Sequence, residues 1–355
     1  MKNIILLILS FCSMPLCAQI QDVYLKTYEF IESMLVGERT LKFADAVFAV
    51  ENAYYEDQLE LDELKQELTL MTRLTKTMAS SRLITYKELD QEVVAKHAAL
   101  FKVMTDSIPV RIDFLHVLLH FPYTYDFNDP LGHEDWSNMF VSKLLSTGKG
   151  NCHSLPYLYK IIADELNIPC YLAFAPNHIY IKLYSKSTGW YNTELTSATF
   201  PIDAWIIASG YVTVDAIRNG LYMDTISDEK AVANCLIDLA QGYQRKYGKA
   251  NPDFVVKCCH TVLRYHPENI NAMLTQAEAQ KYYIHSMMKT KKLEKAEELF
   301  NDPGIKEMYA EMENLYIRLY KLGYRRMPEE MYLKWINLLK KEPDKFTNRI
   351  LMAPN

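Results

Sequence analysis

The sequence predicts an α+β protein, in which one helix followed by antiparallel strands forms a small core between two helical regions. Three observations carry this. Apolar residues recur at spacings of three and four from Asp22 to about Lys102 and again from about Ser227 to Lys340, the period of amphipathic helices. Between them, Cys170–Ala175, His178–Tyr184 and Trp190–Thr196 read as strands, and the polar link Ser185–Gly189 makes the last two a hairpin. A helix from Cys152 to Leu166, with Leu155, Leu158, Ile162 and Leu166 on one side, precedes those strands. With 49% hydrophobic residues and only 11 Gly and 14 Pro in 355, the chain has enough apolar surface for a core and is neither disordered nor collagen-like.

The elements follow in order. Residues 1–18 carry Lys2, an apolar run from Ile4 to Phe11 and the ending Leu16-Cys17-Ala18, the pattern of a secretory signal peptide, so the protein is expected to be exported to the periplasm or beyond the cell. The run is too short to span a bilayer, and no later segment approaches a membrane span. Residues 19–108 are expected to form an N-terminal helical region, with Leu41-Phe43-Ala46-Val47-Val50 and Leu61-Leu64-Leu68-Met71 as its clearest stripes. Pro109 and the turn-rich stretch from Phe121 to Gly132 open the core, residues 109–226, where residues 134–146 read as a helix that Gly148-Lys149-Gly150 breaks. Residues 227–355 return to helix. Leu236, Leu239, Ala240 and Tyr243, then Val255, Cys259, Val262 and Pro267, are spaced as in a tetratricopeptide unit with a short insertion, and weaker units cover 270–303 and 305–340; an ordinary helical bundle is the alternative.

Charge and cysteines exclude some functions. A net charge of −5 gives no cationic field for nucleic acid. Removing the leader leaves Cys152, Cys170, Cys235, Cys258 and Cys259, an odd set with no CxxC pair, so neither a zinc site nor a disulfide framework is expected. Asp126-Phe127-Asn128-Asp129 and Asp135 lack calcium-loop spacing and suit turns instead. No metal and no cofactor are expected.

One constellation has chemical potential. Cys152 follows Gly148-Lys149-Gly150-Asn151 at a helix start, where unsatisfied N–H groups and the helix dipole stabilise a thiolate and an oxyanion on an attacked carbonyl. The glycines allow close approach of a substrate backbone. His178 begins a strand whose alternation separates it from Ile179, Ile181 and Leu183, and it leaves the apolar face. Asn192 and Glu194 share a face of the paired strand, so either is placed to orient the imidazole while its other nitrogen takes the Cys152 proton. Each residue alone has an ordinary structural role; the ordered set is what points to catalysis.

Gly150-Asn151-Cys152, the helix ending Leu166-Asn167-Ile168-Pro169, His178 on a strand, and Gly189-Trp190 with Glu194-Leu195-Thr196 together resemble the core of the transglutaminase-like superfamily, a papain-like thiol architecture. The resemblance spans roughly residues 130–200. Ser154–Tyr159, Pro176-Asn177-His178 and the repeat-bearing tail are also similar to a bacterial branch that joins this core to tetratricopeptide repeats, some members of which lack the nucleophile. It implies Cys152 as nucleophile, His178 as base and acid, and Glu194 as orienting residue where the family usually has Asp. Asn192 is the alternative third member, and Trp136 a candidate oxyanion donor. The implied activity is attack on peptide or glutamine-type amides, with hydrolysis preferred over cross-linking and a peptide or protein as substrate. The competing reading is an inactive protein-binding scaffold whose core and helical tail grip an envelope protein. Arylamine acetyl transfer would use the same roles, but no Arg stands close before Cys152.

Overall fold

The computed structural model describes residues 22–348 apart from 82, 83, 112, 114 and 115. The proposed signal peptide lies outside the described residues. The architecture is mixed α+β, and helix, at 58%, dominates small sheets that are mainly antiparallel. Two compact units interleave along the chain, where the sequence reading expected consecutive domains: one joins the residues up to Leu59 to Asp228–Arg318, the other joins Glu60–Ser227 to the residues from Leu319 onward.

The first unit is helical. It contains α1 (22–35), α2 (Phe43–Tyr54), α9 (Asp228–Tyr247), α10 (Asp253–Tyr265), α11 (Ile270–Lys291) and most of α12 (Pro303–Lys321). Tyr24 on α1 sets its ring edge-on against Tyr243, Tyr247 and Phe254, while the Tyr28 hydroxyl bonds Thr261 Oγ1 at 2.8 Å. Val232, Leu236, Leu239, Cys258 and Cys259 are fully buried, as expected of apolar stripes at helical period that find facing helices. The aromatic face of α1 thus packs on helices some 200 residues later, which sequence periodicity has no means of indicating.

The second unit holds the strands. Helices α3 (Leu61–Ala79) and α4 (Gln91–Thr105) precede β1 (Ile108–Arg111) and β2 (Val117–His120), an antiparallel pair, and β3 (Thr124–Tyr125), which pairs in parallel with β4 (Lys149–Gly150). Residues 134–146 do not form one helix. A single 3-10 turn, Trp136–Met139, is followed by extended Phe140 and then α5 (Val141–Thr147). The Asp135 side chain accepts from the backbone N–H and hydroxyl of Ser137, closing a local turn where the continuous helix would have begun. After α6 (Ser154–Glu165) come β5 (Tyr171–Ala175), β6 (His178–Ser185) and β7 (Gly189–Thr193), and then α7 (Asp203–Ile207), α8 (Val214–Arg218) and β8 (Thr225–Ile226).

The main sheet has the order β7-β6-β5-β8, with every pairing antiparallel. Leu155, Leu158, Ile161 and Ile162 of α6 are buried completely or nearly so. On β6 the expected alternation gives way to burial of both faces, since His178 and Tyr180 are as enclosed as Ile179 and Ile181. The second face is covered by Trp205 of α7 and by the chain end. There α13 (Glu329–Ile336), α14 (Leu338–Lys341) and α15 (Pro343–Phe346) pack within this unit, and Ile202 N–H donates to the Phe346 carbonyl at 2.8 Å. Tyr332, Trp335, Ile336, Leu339 and Phe346 are all buried there, an apolar stripe that the sequence reading assigned to the helical tail. Among the described residues no helix is long and apolar enough to cross a membrane.

Candidate thiol site

The turn that presents Cys152 is built by its neighbours. Gly148 caps α5 at φ +70, a left-handed conformation that glycine adopts at little cost. The chain then pairs with β3 and reaches Asn151, a fully buried residue whose Oδ1 accepts from the N–H groups of His153 (2.9 Å) and Ser154 (3.3 Å). In return Ser154 Oγ accepts from Asn151 N–H at 3.0 Å and donates to the Asn138 carbonyl at 2.9 Å. This reciprocal pair satisfies first-turn donors of α6 and leaves Cys152 projecting between them. A Cβ on Gly150 would stand 2.2 Å from Ser154 Oγ, so the bare Cα that the sequence reading assigned to substrate approach is taken up by the turn itself.

His178 is placed by a tight turn. Pro176 and Asn177 link β5 to β6, Ala175 pairs with His178, and Asn177 adopts φ +55, a pairing of Pro and Asn that suits a type II turn. The Asn177 carbonyl lies 3.8 Å from Cys152 Sγ. Glu194 follows β7 and is fixed by its bridge to Thr199 and by Thr196 N–H, which donates to Oε1 at 2.8 Å.

The structure brings Cys152, His178 and Glu194 together. His178 Nε2 stands 2.6 Å from Glu194 Oε2, and the imidazole also hydrogen-bonds the Cys152 side chain. Their exposures are 6%, 3% and 1%, so the three groups interact with little solvent screening. Burial alone pushes the His178 pKa down, but Glu194 and the Cys152 sulfur outweigh it and raise it to about 10. Burial pushes the Cys152 thiol up, and His178, with the Tyr332 hydroxyl, more than reverses this and draws it below its ordinary value. The geometry therefore favours a thiolate and an imidazolium over two neutral groups.

Asn192 is turned elsewhere, its amide donating to the Pro201 carbonyl at 3.0 Å and to Asp203 Oδ1 at 2.8 Å. Trp136 opens the 3-10 turn whose next residues, Asn138 and Met139, support the thiol loop; Asn151 Nδ2 donates to Met139 Sδ at 3.0 Å. The indoles around the imidazole are those of Trp205 and Trp335, edge-on at 5.9 and 5.4 Å. The Tyr332 hydroxyl lies 3.2 Å from His178 Nδ1 and 3.0 Å from the Tyr125 hydroxyl. None of Tyr125, Trp205, Tyr332 and Trp335 was singled out from the sequence, and only the spacing of Tyr332, Trp335 and Ile336 gave a signal, that of an apolar helix face.

Asp129 is engaged with the backbone N–H groups of His133, Glu134 and Asp135, and Asp135 with Lys143. Among the described residues no group of three or more His, Cys, Asp or Glu is arranged to hold a metal ion. In comparisons with known protein families, with curated proteins and with solved structures, the chain matches none.

Proposed function

We propose that the protein is an exported transglutaminase-like thiol enzyme that attacks peptide or glutamine-type amides through Cys152, His178 and Glu194. One observation carries the reading: His178 is gripped at Nε2 by a buried carboxylate while its ring hydrogen-bonds the Cys152 sulfur. Glu194 accepts a hydrogen bond from Nε2–H, fixes the tautomer and stabilises the imidazolium. The Cys152 thiolate adds to the amide carbonyl, the imidazolium gives its proton to the departing amine, and a thioester remains. His178 then takes a proton from water, whose oxygen displaces the thiolate and completes hydrolysis; an amine in place of water would give cross-linking. The helix α6 on one side of the sheet and the order Cys, His, carboxylate along the chain agree with this class. The helices α9 to α12 are read as tetratricopeptide-like, a surface for an envelope protein partner.

A second reading, a protein-binding scaffold without catalysis, is favoured by the burial of the thiol, with the Tyr332 hydroxyl on its sulfur and Trp335 against His178. The test between them is ammonia release from glutamine-containing peptides together with mass-spectrometric trapping of an acyl adduct on Cys152. Turnover that disappears in Cys152→Ala and His178→Ala supports the enzyme; no adduct and no turnover after the thiol has been made accessible supports the scaffold.

A further inference from the structure

We propose that residues 327–346 are an autoinhibitory cap over Cys152, and that the exposed pair Arg325-Arg326 is a proteolytic site whose cleavage releases it; this rests on reading Cys152 as a nucleophile. The cap packs directly on the Cys152 and His178 side chains. Tyr332, fully buried, sets its hydroxyl in hydrogen-bonding reach of His178 Nδ1, the Tyr125 hydroxyl and the Cys152 sulfur. Trp335 stacks on Trp205 at 4.4 Å, donates its indole N–H to the Trp205 carbonyl at 2.8 Å, and sets its ring edge-on to His178. With Cys152 only 6% exposed, an amide substrate needs a covering element to move aside before it reaches the sulfur, and this segment is the one that touches it through Tyr332.

The attachment of the cap identifies where it is released. Upstream, the Leu322 and Gly323 carbonyls accept from Asn219 and Thr213, and a Cβ on Gly323 would meet Thr213 Oγ1 at 2.5 Å. Downstream, the Met327 carbonyl accepts from Asn177 Nδ2 at 3.0 Å. Between these ties residues 324–326 form neither helix nor strand, and Arg325 and Arg326 are exposed. Exposed, irregular segments are the preferred sites of proteolysis, and two adjacent guanidinium groups suit a protease of basic specificity. That protease adds one water across the peptide bond after Arg325 or Arg326, leaving a carboxylate on the core and an amine on the cap. The cap is then no longer tethered, so its local concentration falls from the millimolar level of a short linker to that of a free peptide.

The experiment compares iodoacetamide labelling of Cys152, read by mass spectrometry, in the full chain before and after limited digestion with a trypsin-like protease. Cleavage at Arg325-Arg326 followed by chromatography is expected to raise the labelling rate about tenfold or more, and adding a synthetic peptide of residues 327–346 to lower it again. The doubly substituted Arg325→Gln/Arg326→Gln chain should resist cleavage and stay slow. Unchanged labelling after the cap has been removed, or first cleavage elsewhere with residues 324–327 intact, overturns the proposal. Should the cut chain lose its circular dichroism, hydrogen exchange on the intact protein decides: amides of Glu329–Ile336 opening before those of β6, at the rate of Cys152 labelling, support the cap, and labelling only with β6 overturns it. In the cut chain, His178→Ala tests the nucleophile separately: an unaltered rate speaks against the enzyme and leaves the cap standing.

Discussion

His178 Nε2 lies 2.6 Å from Glu194 Oε2, and both side chains are almost wholly withdrawn from water. Breaking such a contact by removing one charge leaves the other buried without compensation. Glu194→Gln keeps the shape but removes the charge and leaves one acceptor oxygen for the two donors, His178 Nε2–H and Thr196 N–H, so the imidazolium loses its charged partner. The expected cost is about 1–3 kcal/mol in urea unfolding, with a lower His178 pKa by nuclear magnetic resonance. An unchanged His178 titration would show that Glu194 does not hold the proton there.

The raised pKa of His178 makes stability depend on alkaline pH. The unfolded imidazole titrates near its ordinary 6.5 and the folded one at about 10, so the stabilising contribution is fully present below 6.5 and is lost as pH rises through about 10. The lowered Cys152 thiol acts oppositely, contributing above its ordinary 9.0 and losing that contribution as pH falls through the folded value. Between 6.5 and about 9 the two contributions offset each other, so the midpoint temperature of the wild type, measured by calorimetry, is expected to stay nearly level there and to fall above about pH 9, whereas that of Cys152→Ala, which keeps the imidazolium on Glu194 and loses the thiolate, falls already from pH 6.5 upward. Parallel curves for the two proteins would contradict the charged pair.

Gly150 and Ser154 are coupled by contact. Gly150→Ala forces its Cβ against Ser154 Oγ and should cost about 1–3 kcal/mol, the usual range for overpacking. Ser154→Gly removes the clashing hydroxyl and Cβ together, so the double variant is expected to be less destabilised than the two single effects added. A double-mutant cycle in urea measures this, and strict additivity would locate the strain elsewhere.

The five described thiols differ in reactivity. Cys235, Cys258 and Cys259 are buried among helices, and burial pushes each of them above the ordinary thiol value. At pH 7 in native buffer, alkylation with the cap removed should modify Cys152 alone of these four, and the other three only in denaturant. Peptide mapping of the labelled protein checks this; early modification of Cys258 or Cys259 would place them nearer solvent than the packing allows.

His97 and His266 predict an acid limb. Burial pushes both down to about 4; His97 meets the Tyr159 hydroxyl and the Pro169 carbonyl, and His266 meets Asn269. Each folded value lies below the unfolded 6.5, so stability is present above 6.5 and is lost as pH falls toward 4, by up to about 3 kcal/mol per histidine. Unfolding followed from pH 7 to 4 should show a shallower decline in His97→Gln than in the wild type.

By itself the sequence determined the local pieces. Apolar spacing marked α6, alternation marked β5 to β7, and Pro176-Asn177 with the polar link after Ser185 set the turns that bring His178 opposite the strand leading to Glu194. Those signals are short-range, because dihedral preference and side-chain period act over a few residues. The choice between Glu194 and Asn192 was left open by a shared strand face, and the turn closed by Thr196 and Thr199 directs the carboxylate to the imidazole while Pro201 and Asp203 engage Asn192. Tertiary structure alone decided that Tyr332 and Trp335, some 150 residues after His178, pack on its imidazole, and that α1 belongs with helices beyond Ser227. An apolar stripe records that a helix must be covered but not by what, since the hydrophobic effect is non-directional and any face of matching shape removes it from water.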